Sequence, residues 1–390
     1  MDVQKQDVFG QASWVIETDE VSLAVTERGG MMAPVTFFRS SGTPFSPYYI
    51  NPWHDEKLDI ADPVLRTLRG DFFCMPFGAG GEYEGVSYVS HGEPATERWT
   101  LESGGTEEQA GSGDAGFREI RLSLETRAPA ASITKRLMLR PGENAVYQQH
   151  RIRGKAGGRT PLAHHATLQG GGSPERLLIS TSRHQFGLTE SRDATHFSDG
   201  EYYSLQPSTR FEDPGAVPTI WKDQPNTDCT VFPNRHGFVD VLGIALDPSV
   251  RPAWTAAVDT EAQTLWYSLK DPLVLPTTVF WMENYGRHQP PWKGRNSCIG
   301  LEDICGSLAE GMGPSLGENA LSRAGVPTAH ELDPDREILV NVIHGALRLP
   351  AGFGHVTSVE FTRDGLVFAD AAGRSAGTSV QHAFVESGEL

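Results

Sequence analysis

Cysteine is scarce: 4 in 390 residues, Cys74, Cys229, Cys298 and Cys305, with no CxxC pair among them. That spacing speaks against a disulfide framework and supplies no thiolate pair for zinc, so reduced thiols are expected. Long apolar runs are also missing. No stretch reaches the roughly 18 apolar residues that cross a membrane as a helix. Residues Met1 to Ser13 lack the basic start and apolar core of a secretory signal. Positive charge is in deficit, with 33 Lys and Arg against 50 Asp and Glu and a formal net charge of −17. Neutralising a phosphate backbone needs the opposite balance, so nucleic acid is set aside as a partner. The expectation is a soluble, cytoplasmic protein with neither a membrane nor a nucleic-acid partner.

Extended helical periodicity is the next absence. One short segment, Asn319–Arg323, has the cap and composition of a helix. Glycine and proline are plentiful instead, 42 and 26 residues, and they punctuate the chain every few positions. Between them lie β-prone runs: Val21–Thr26, Ile120–Leu124, Ser132–Leu139, Ala145–Ile152, Phe238–Leu246, Trp254–Asp259, Thr264–Ser268 and Thr277–Met282. Several alternate apolar with polar residues, the period of a half-buried strand. With 18 Phe, 8 Trp and 9 Tyr there is material for a large core, which excludes disorder. Many short strands joined by turns predict an all-β fold, a large β-sandwich.

A single domain over residues 1–390 is expected, because no long linker interrupts the chain. The two late runs Glu337–Leu349 and Val356–Asp370 either complete the sandwich or form a small C-terminal β extension over about 313–390. The second contains Arg363-Asp-Gly, a hairpin turn signal. Ser103–Gly116, rich in Gly, Glu and Ser, reads as an exposed hairpin loop. Gly170–Pro174 reads as a loop that opens an irregular region to about Pro218.

Four clusters place titratable residues beside apolar and turn-forming neighbours: Leu68–Gly78 around Arg69, Ser90–Trp99 around His91, Pro161–Leu168 around His164 and His165, and Cys298–Asp303 around Glu302. Each has a plain alternative. Arg69 can pair with a surface carboxylate, His91 can serve a turn, and Glu302 can be a strand-end acid. One of the adjacent pair His164 and His165 must face away from any given cleft, since strand side chains alternate.

Taken in order, these clusters resemble the aldose 1-epimerase (galactose mutarotase-like) superfamily, nearest to its hexose-phosphate-epimerase-like branches. Glu27-Arg-Gly-Gly30, Ala33-Pro-Val-Thr-Phe37 and Leu265-Trp-Tyr-Ser followed by Trp281 extend the likeness over roughly residues 20–305. The resemblance implies a supersandwich that binds a small-molecule sugar or sugar derivative and interconverts its anomers without a metal or organic cofactor. It implies Glu302 as the general base and His165 as the acid, with Leu168 as an apolar partner. His164 is the one-residue-slip alternative. It further implies Arg69, with Arg66 as fallback, and His91 as sugar-binding residues. This chain departs from the family after His91-Gly92, where it reads Glu93-Pro-Ala-Thr96, and after His165, where Ala166-Thr167 replaces an aromatic pair. No residue matches the family's substrate-binding aspartate outright, and Asp228 and Asp240 both remain open.

Two other functions fit such a fold. A carbohydrate-binding protein would use tryptophans such as Trp53, Trp99, Trp281 and Trp292 as stacking plates, although core packing is the commoner use of that residue. A glycoside hydrolase or lyase would need a second carboxylate about 5–9.5 Å from the first, with Glu283 and Asp303 as the near candidates. His54-Asp-Glu56 offers metal-ligand residue types without a recognised spacing. The proline-rich segment Tyr285–Arg295 reads either as a surface loop or as a cover for the cleft, bringing Arg287 or Lys293 toward an anionic substrate.

Overall fold

The computed structural model describes residues 3–107, 116–191 and 202–390. Strand alternation builds the molecule from the bottom up. In Phe117–Arg127, Ile120, Leu122 and Leu124 are buried while Glu125 and Arg127 are exposed. In the adjoining Ala130–Leu139, Ala131, Ile133 and Leu137 repeat the pattern in register, with Ile133 opposite Leu124 and Leu137 opposite Ile120. Each fully buried aliphatic side chain contributes roughly 1.5–3 kcal/mol of transfer free energy. A face carrying many of them cannot be left wet.

Two large antiparallel sheets result. The nine-stranded sheet runs in the order Val231–Phe232, Leu177–Thr181, Ala253–Asp259, Thr264–Lys270, Ile338–Arg348, Ala145–Gly154, Ala130–Leu139, Phe117–Arg127 and Thr100–Glu107. The seven-stranded sheet runs Arg210–Phe211, His184–Thr189, Phe238–Leu246, Thr277–Asn284, Ser297–Cys305, Leu162–Gln169 and Phe73–Cys74. Their inner faces share the main core, where Ile120, Val146, Trp266 and Val340 of the first sheet join Leu162, Leu242, Phe280 and Leu301 of the second. This is a large β-sandwich, as expected.

Two further apolar layers lie outside it. The outer face of the nine-stranded sheet, with Tyr147, Tyr267 and Ile343, is covered by Phe368, Phe384 and Val385. These come from the three-stranded sheet Val356–Thr362, Gly365–Asp370 and Ser375–Ser379 and from the short helix Phe384–Ser387. The late run Glu337–Leu349 is thus an inner strand of the nine-stranded sheet, and the chain after it forms the cover. The outer face of the seven-stranded sheet carries Phe72, Cys74, Val241, Val279 and Trp281, packed against Trp53, Val64, Leu68 and Trp292 from loops. That second layer positions the candidate site.

Each of the β-prone runs named above lies in or overlaps a strand, and the helix Ala320–Arg323 is capped by the Asn319 side chain, which accepts from Ser322 N at 2.9 Å. The region after Gly170–Pro174 corrects the expectation of irregular chain. It holds the strands Leu177–Thr181 and His184–Thr189, too short to display a clear alternation. Of the expected loop Ser103–Gly116, residues 103–107 belong to the strand Thr100–Glu107, and 108–115 lie outside the described residues. All four cysteines are free and buried. No helix among the described residues is long and apolar enough to cross a membrane.

Candidate functional site

The strand Leu162–Gln169 pairs on one side with Ser297–Cys305 and on the other with Phe73–Cys74. Register places His165 directly opposite Glu302, and His164 directly opposite Asp303. Because side chains alternate, these two cross-strand pairs face opposite ways. His165 and Glu302 face the outer layer, where His165 Nε2 lies 3.2 Å from Glu302 Oε1. His164 and Asp303 face the sandwich interior, where His164 Nδ1 is 3.0 Å from Asp71 Oδ2 and Asp303 meets Lys270.

Small residues make room for this pair. Gly300 stands two positions before Glu302 on the same strand face, and a Cβ there would lie 2.4 Å from Glu302 Oε1. On the other flank the Phe72 ring stacks on His165, with centroids 4.4 Å apart and planes inclined by 18°. His165 Nδ1 is 3.1 Å from Thr167 Oγ1. The hydroxyl can accept from Nδ1–H, and this leaves the Nε2 lone pair toward Glu302.

His91 completes the arrangement. Its ring lies edge-on to His165, with centroids 5.1 Å apart, and packs against Phe72 and Phe77. Its backbone has φ 57°, a left-handed value that costs a non-glycine residue energy and is retained where the surroundings impose it. Gly92 follows at φ 77°, and a Cβ there would fall 2.1 Å from Met75 O. The His-Gly pair therefore carries two jobs, a placed imidazole and a close backbone approach.

These three side chains open into a cavity of about 480 Å³. Its polar lining comprises Asp62, Ser90, His91, His165, Arg287, Gln289 and Glu302, and its apolar lining includes Val64, Leu68, Val241, Val279, Trp281 and Trp292. The segment Tyr285–Arg295 contributes Arg287, Gln289, Pro290 and Trp292 to this lining. Its Arg287 guanidinium lies 5.5 Å from the Trp281 ring and 5.1 Å from the Trp292 ring. Lys293 does not join the lining and approaches Glu56 instead, at 3.7 Å.

Burial sets the proton affinities. Enclosure pushes the Glu302 carboxyl well above the ordinary carboxylate range, and the nearby charge of Glu190 adds to the shift. Enclosure holds the His165 imidazolium down to about 4. Both directions favour an uncharged pair, a carboxylic acid beside a neutral imidazole.

Several expected site residues lie elsewhere. Arg69 is fully buried, and its guanidinium is spread over the carbonyls of Thr67, Val8 and Phe9 at 3.2, 2.9 and 3.1 Å. It clamps the turn of the N-terminal hairpin formed by the strands Lys5–Val8 and Gln11–Glu17, and does not line the cavity. Its partner Gly70 is equally structural, since a Cβ there would meet Met32 O at 1.9 Å. Arg66 binds Ile60 O. His164 faces away from the cavity, as does Leu168, which joins the inner core. Asp240 is occupied by Ser204 N and Oγ, Leu205 N and Arg235, and the residue of its strand that reaches the cavity is Val241. Asp228 caps Thr230, away from the cavity.

Glu283 is buried behind Arg287, and Asp303 lies inside the sandwich, so neither supplies a second carboxylate to the cavity. Of the tryptophans, Trp281 and Trp292 line the cavity, Trp53 packs on Trp292, and Trp99 belongs to the inner core. Asp62, Ser90 and Gln289 were missed in the sequence. Asp62 had one signal, an Asp-Pro step that caps the short turn Pro63–Arg66. Among the described residues, no group of three or more His, Cys, Asp or Glu is arranged to hold a metal ion.

No family model matches the sequence, and no curated protein matches it. Solved structures do. A Klebsiella pneumoniae chain named "putative aldose 1-epimerase" superimposes with a TM-score of 0.59 at 12% identity, covering 87% of this chain and 80% of its own. A galactose mutarotase-like protein from Clostridium acetobutylicum gives 0.58 at 9% identity over 89% of this chain and 99% of its own. Another from Lactobacillus casei gives 0.52 at 10% identity over 86% and 100%. At such identities the likeness is one of architecture, and it agrees with the sandwich built up above: this chain has the galactose mutarotase-like fold.

Proposed function

We propose that the cavity binds the reducing end of a sugar and interconverts its α and β anomers, an aldose 1-epimerase activity. The observation that carries this reading is the 3.2 Å contact between His165 Nε2 and Glu302 Oε1 within the cavity. Ring opening requires removal of a proton from the C1 hydroxyl and delivery of a proton to the ring oxygen. Those two oxygens share one carbon, so the groups serving them must be close neighbours. A pair holding one proton between a carboxyl and an imidazole has one donor and one acceptor in either arrangement.

The neutral pair acts as follows. His165 Nε2 accepts the hydroxyl proton while the Glu302 carboxylic acid protonates the ring oxygen, and the C1–ring oxygen bond breaks to give the open-chain aldehyde. Rotation about C1–C2 presents the other face of the carbonyl. Closure returns each proton by the reverse transfers, so the pair ends as it began. The opposite assignment, Glu302 as base and His165 as acid, runs the same cycle from the other proton placement. Each positioned proton-transfer group contributes on the order of 10²–10⁴-fold. His91 stands beside His165 to orient the sugar, and the Trp281 and Trp292 rings offer apolar faces to its C–H surfaces.

The test is the relaxation of freshly dissolved anomers, followed by polarimetry or NMR over a panel of aldoses and sugar phosphates. Acceleration of at least one sugar, lost in Glu302→Gln and in His165→Asn, supports the proposal. Saturable binding with an unaltered relaxation rate would make the protein a carbohydrate binder. Release of new reducing ends from an oligosaccharide would point to hydrolysis.

A further inference from the structure

Beyond the proton-transfer pair, the cavity needs groups that grip the rest of the sugar, and the residues first considered for that work are engaged elsewhere. Asp240 is held by Ser204, Leu205 and Arg235, and Arg69 by three backbone carbonyls. Among the described lining residues, the carboxylates are Asp62 and Glu302, and Arg287 is the one guanidinium. Asp62 is half-buried and spends its Oδ1 on Val64 N at 3.1 Å, as the cap of Pro63–Arg66. Burial raises the Asp62 carboxyl above its ordinary value, while the bond from Val64 N and the Arg287 charge oppose the rise, and Ser90 shares the same lining.

Arg287 has an acidic neighbour, with Glu283 Oε2 lying 3.8 Å from its Nε and Glu283 Oε1 accepting from its backbone N at 3.1 Å. The cavity's guanidinium therefore already has a buried carboxyl group beside it, and it lies near the Trp281 and Trp292 rings.

On the proposed reading of the site as a sugar cavity, we infer that Asp62, with Ser90 and Arg287, forms the arm that binds sugar hydroxyls remote from C1, and that Asp62 sets specificity against phosphorylated sugars. A carboxylate accepts from hydroxyls, a guanidinium donates to them, and Ser90 does either, so a vicinal diol finds both kinds of partner. A phosphate ester finds acceptors it cannot use and a guanidinium that already has a carboxyl group beside it, and like charges placed together in an interface are strongly unfavourable.

Asp62→Asn separates this role from a structural one. Asparagine caps a turn about as well as aspartate, so the substitution keeps the backbone bond and removes the charge. Affinity is measured by calorimetry for aldohexoses and for their phosphate esters, with the melting temperature as a control. Wild type is expected to bind the free sugar at least about tenfold more tightly than the ester. In Asp62→Asn the free sugar should weaken by about tenfold (near 1.4 kcal/mol), the ester should gain, and the melting temperature should hold. Ser90→Ala should weaken the free sugar in the same direction by less. Wild type preferring the ester, or an Asp62→Asn protein with unchanged selectivity, overturns the inference and leaves the sugar cavity standing. Wild type binding neither class overturns both.

Discussion

Lys270 Nζ lies 2.8 Å from Asp303 Oδ1, and this fully buried ion pair joins the two sheets of the sandwich immediately behind Glu302. Lys270 comes from the nine-stranded sheet and Asp303 from the seven-stranded one, with Ser268 Oγ and Thr278 Oγ1 donating to the same carboxylate at 2.6 and 2.8 Å. A buried pair is a weak source of net stability, because desolvation offsets the attraction, but stranding one partner is expensive. Lys270→Met and Asp303→Leu should each lower stability by about 3–5 kcal/mol. The double replacement Lys270→Met/Asp303→Leu should recover most of that loss. Urea denaturation of the four proteins checks the sign and the coupling. Additive losses would show that the pair is not acting as one unit.

Acid should destabilise the fold from within. Burial holds His344 down to about 4 and pushes His150 well below its ordinary value, with Asp71 and Lys135 in the same interior cluster. Both histidines therefore bind protons more readily unfolded, near 6.5, than folded. The stability they contribute when neutral is complete above about pH 6.5 and drains as pH falls toward about 4. His344 alone withdraws on the order of 3 kcal/mol over that window. Glu302, displaced upward, works in the opposite direction and softens the slope. Denaturation midpoints at pH 7 and pH 4.5 should differ clearly in wild type and less in His344→Gln.

The pH dependence of the proposed epimerase reaction follows from the paired proton. Activity should persist below pH 6.5 and fall when His165 takes a second proton, near pH 4. A pH–rate profile taken with brief exposures, so that unfolding does not intrude, should be level between about 5 and 7. An acid limb centred near 6.5 would contradict the assigned burial effect.

Gly300→Ala probes the room around Glu302. The added Cβ would stand 2.4 Å from Glu302 Oε1, so the carboxyl must swing away from His165. The expected result is a fall in kcat of at least about tenfold, the size of displacement effect that small misplacement of reacting groups produces. Sugar affinity and melting temperature should change far less. A variant that retains its full rate would show that the 3.2 Å contact is dispensable.

Arg69 and His164 give the complementary prediction. Arg69→Met removes hydrogen bonds to three backbone carbonyls, one buried and two partly buried, and should destabilise the protein by roughly 1–3 kcal/mol. His164→Asn should act on the Asp71 cluster. Neither should change sugar affinity in the folded protein, and calorimetry on the two variants decides it.

Much of the architecture was written in the sequence. Period-two alternation in Ile120–Leu124 and Ala145–Ile152, and the Arg363-Asp-Gly turn, follow from local sterics and burial, so their strands were visible without the fold. The short strands Leu177–Thr181 and His184–Thr189 were not, because five or six residues carry too little pattern. His91 and Glu302 were singled out by motif, and both line the cavity. The glycine beside His91 accommodates a close backbone contact that left a trace in the sequence.

Alternation along Leu162–Gln169 guaranteed that His164 and His165 would part company, but not which one would meet the cavity. That choice depends on which face of the seven-stranded sheet is roofed by the loops bearing Trp53, Val64 and Trp292, a long-range fact. The same cause sent Arg69 to the N-terminal hairpin and brought Asp62 to the cavity: local sequence dictates periodicity and turns, whereas the partner of a long side chain is whichever distant backbone the packed sheets deliver.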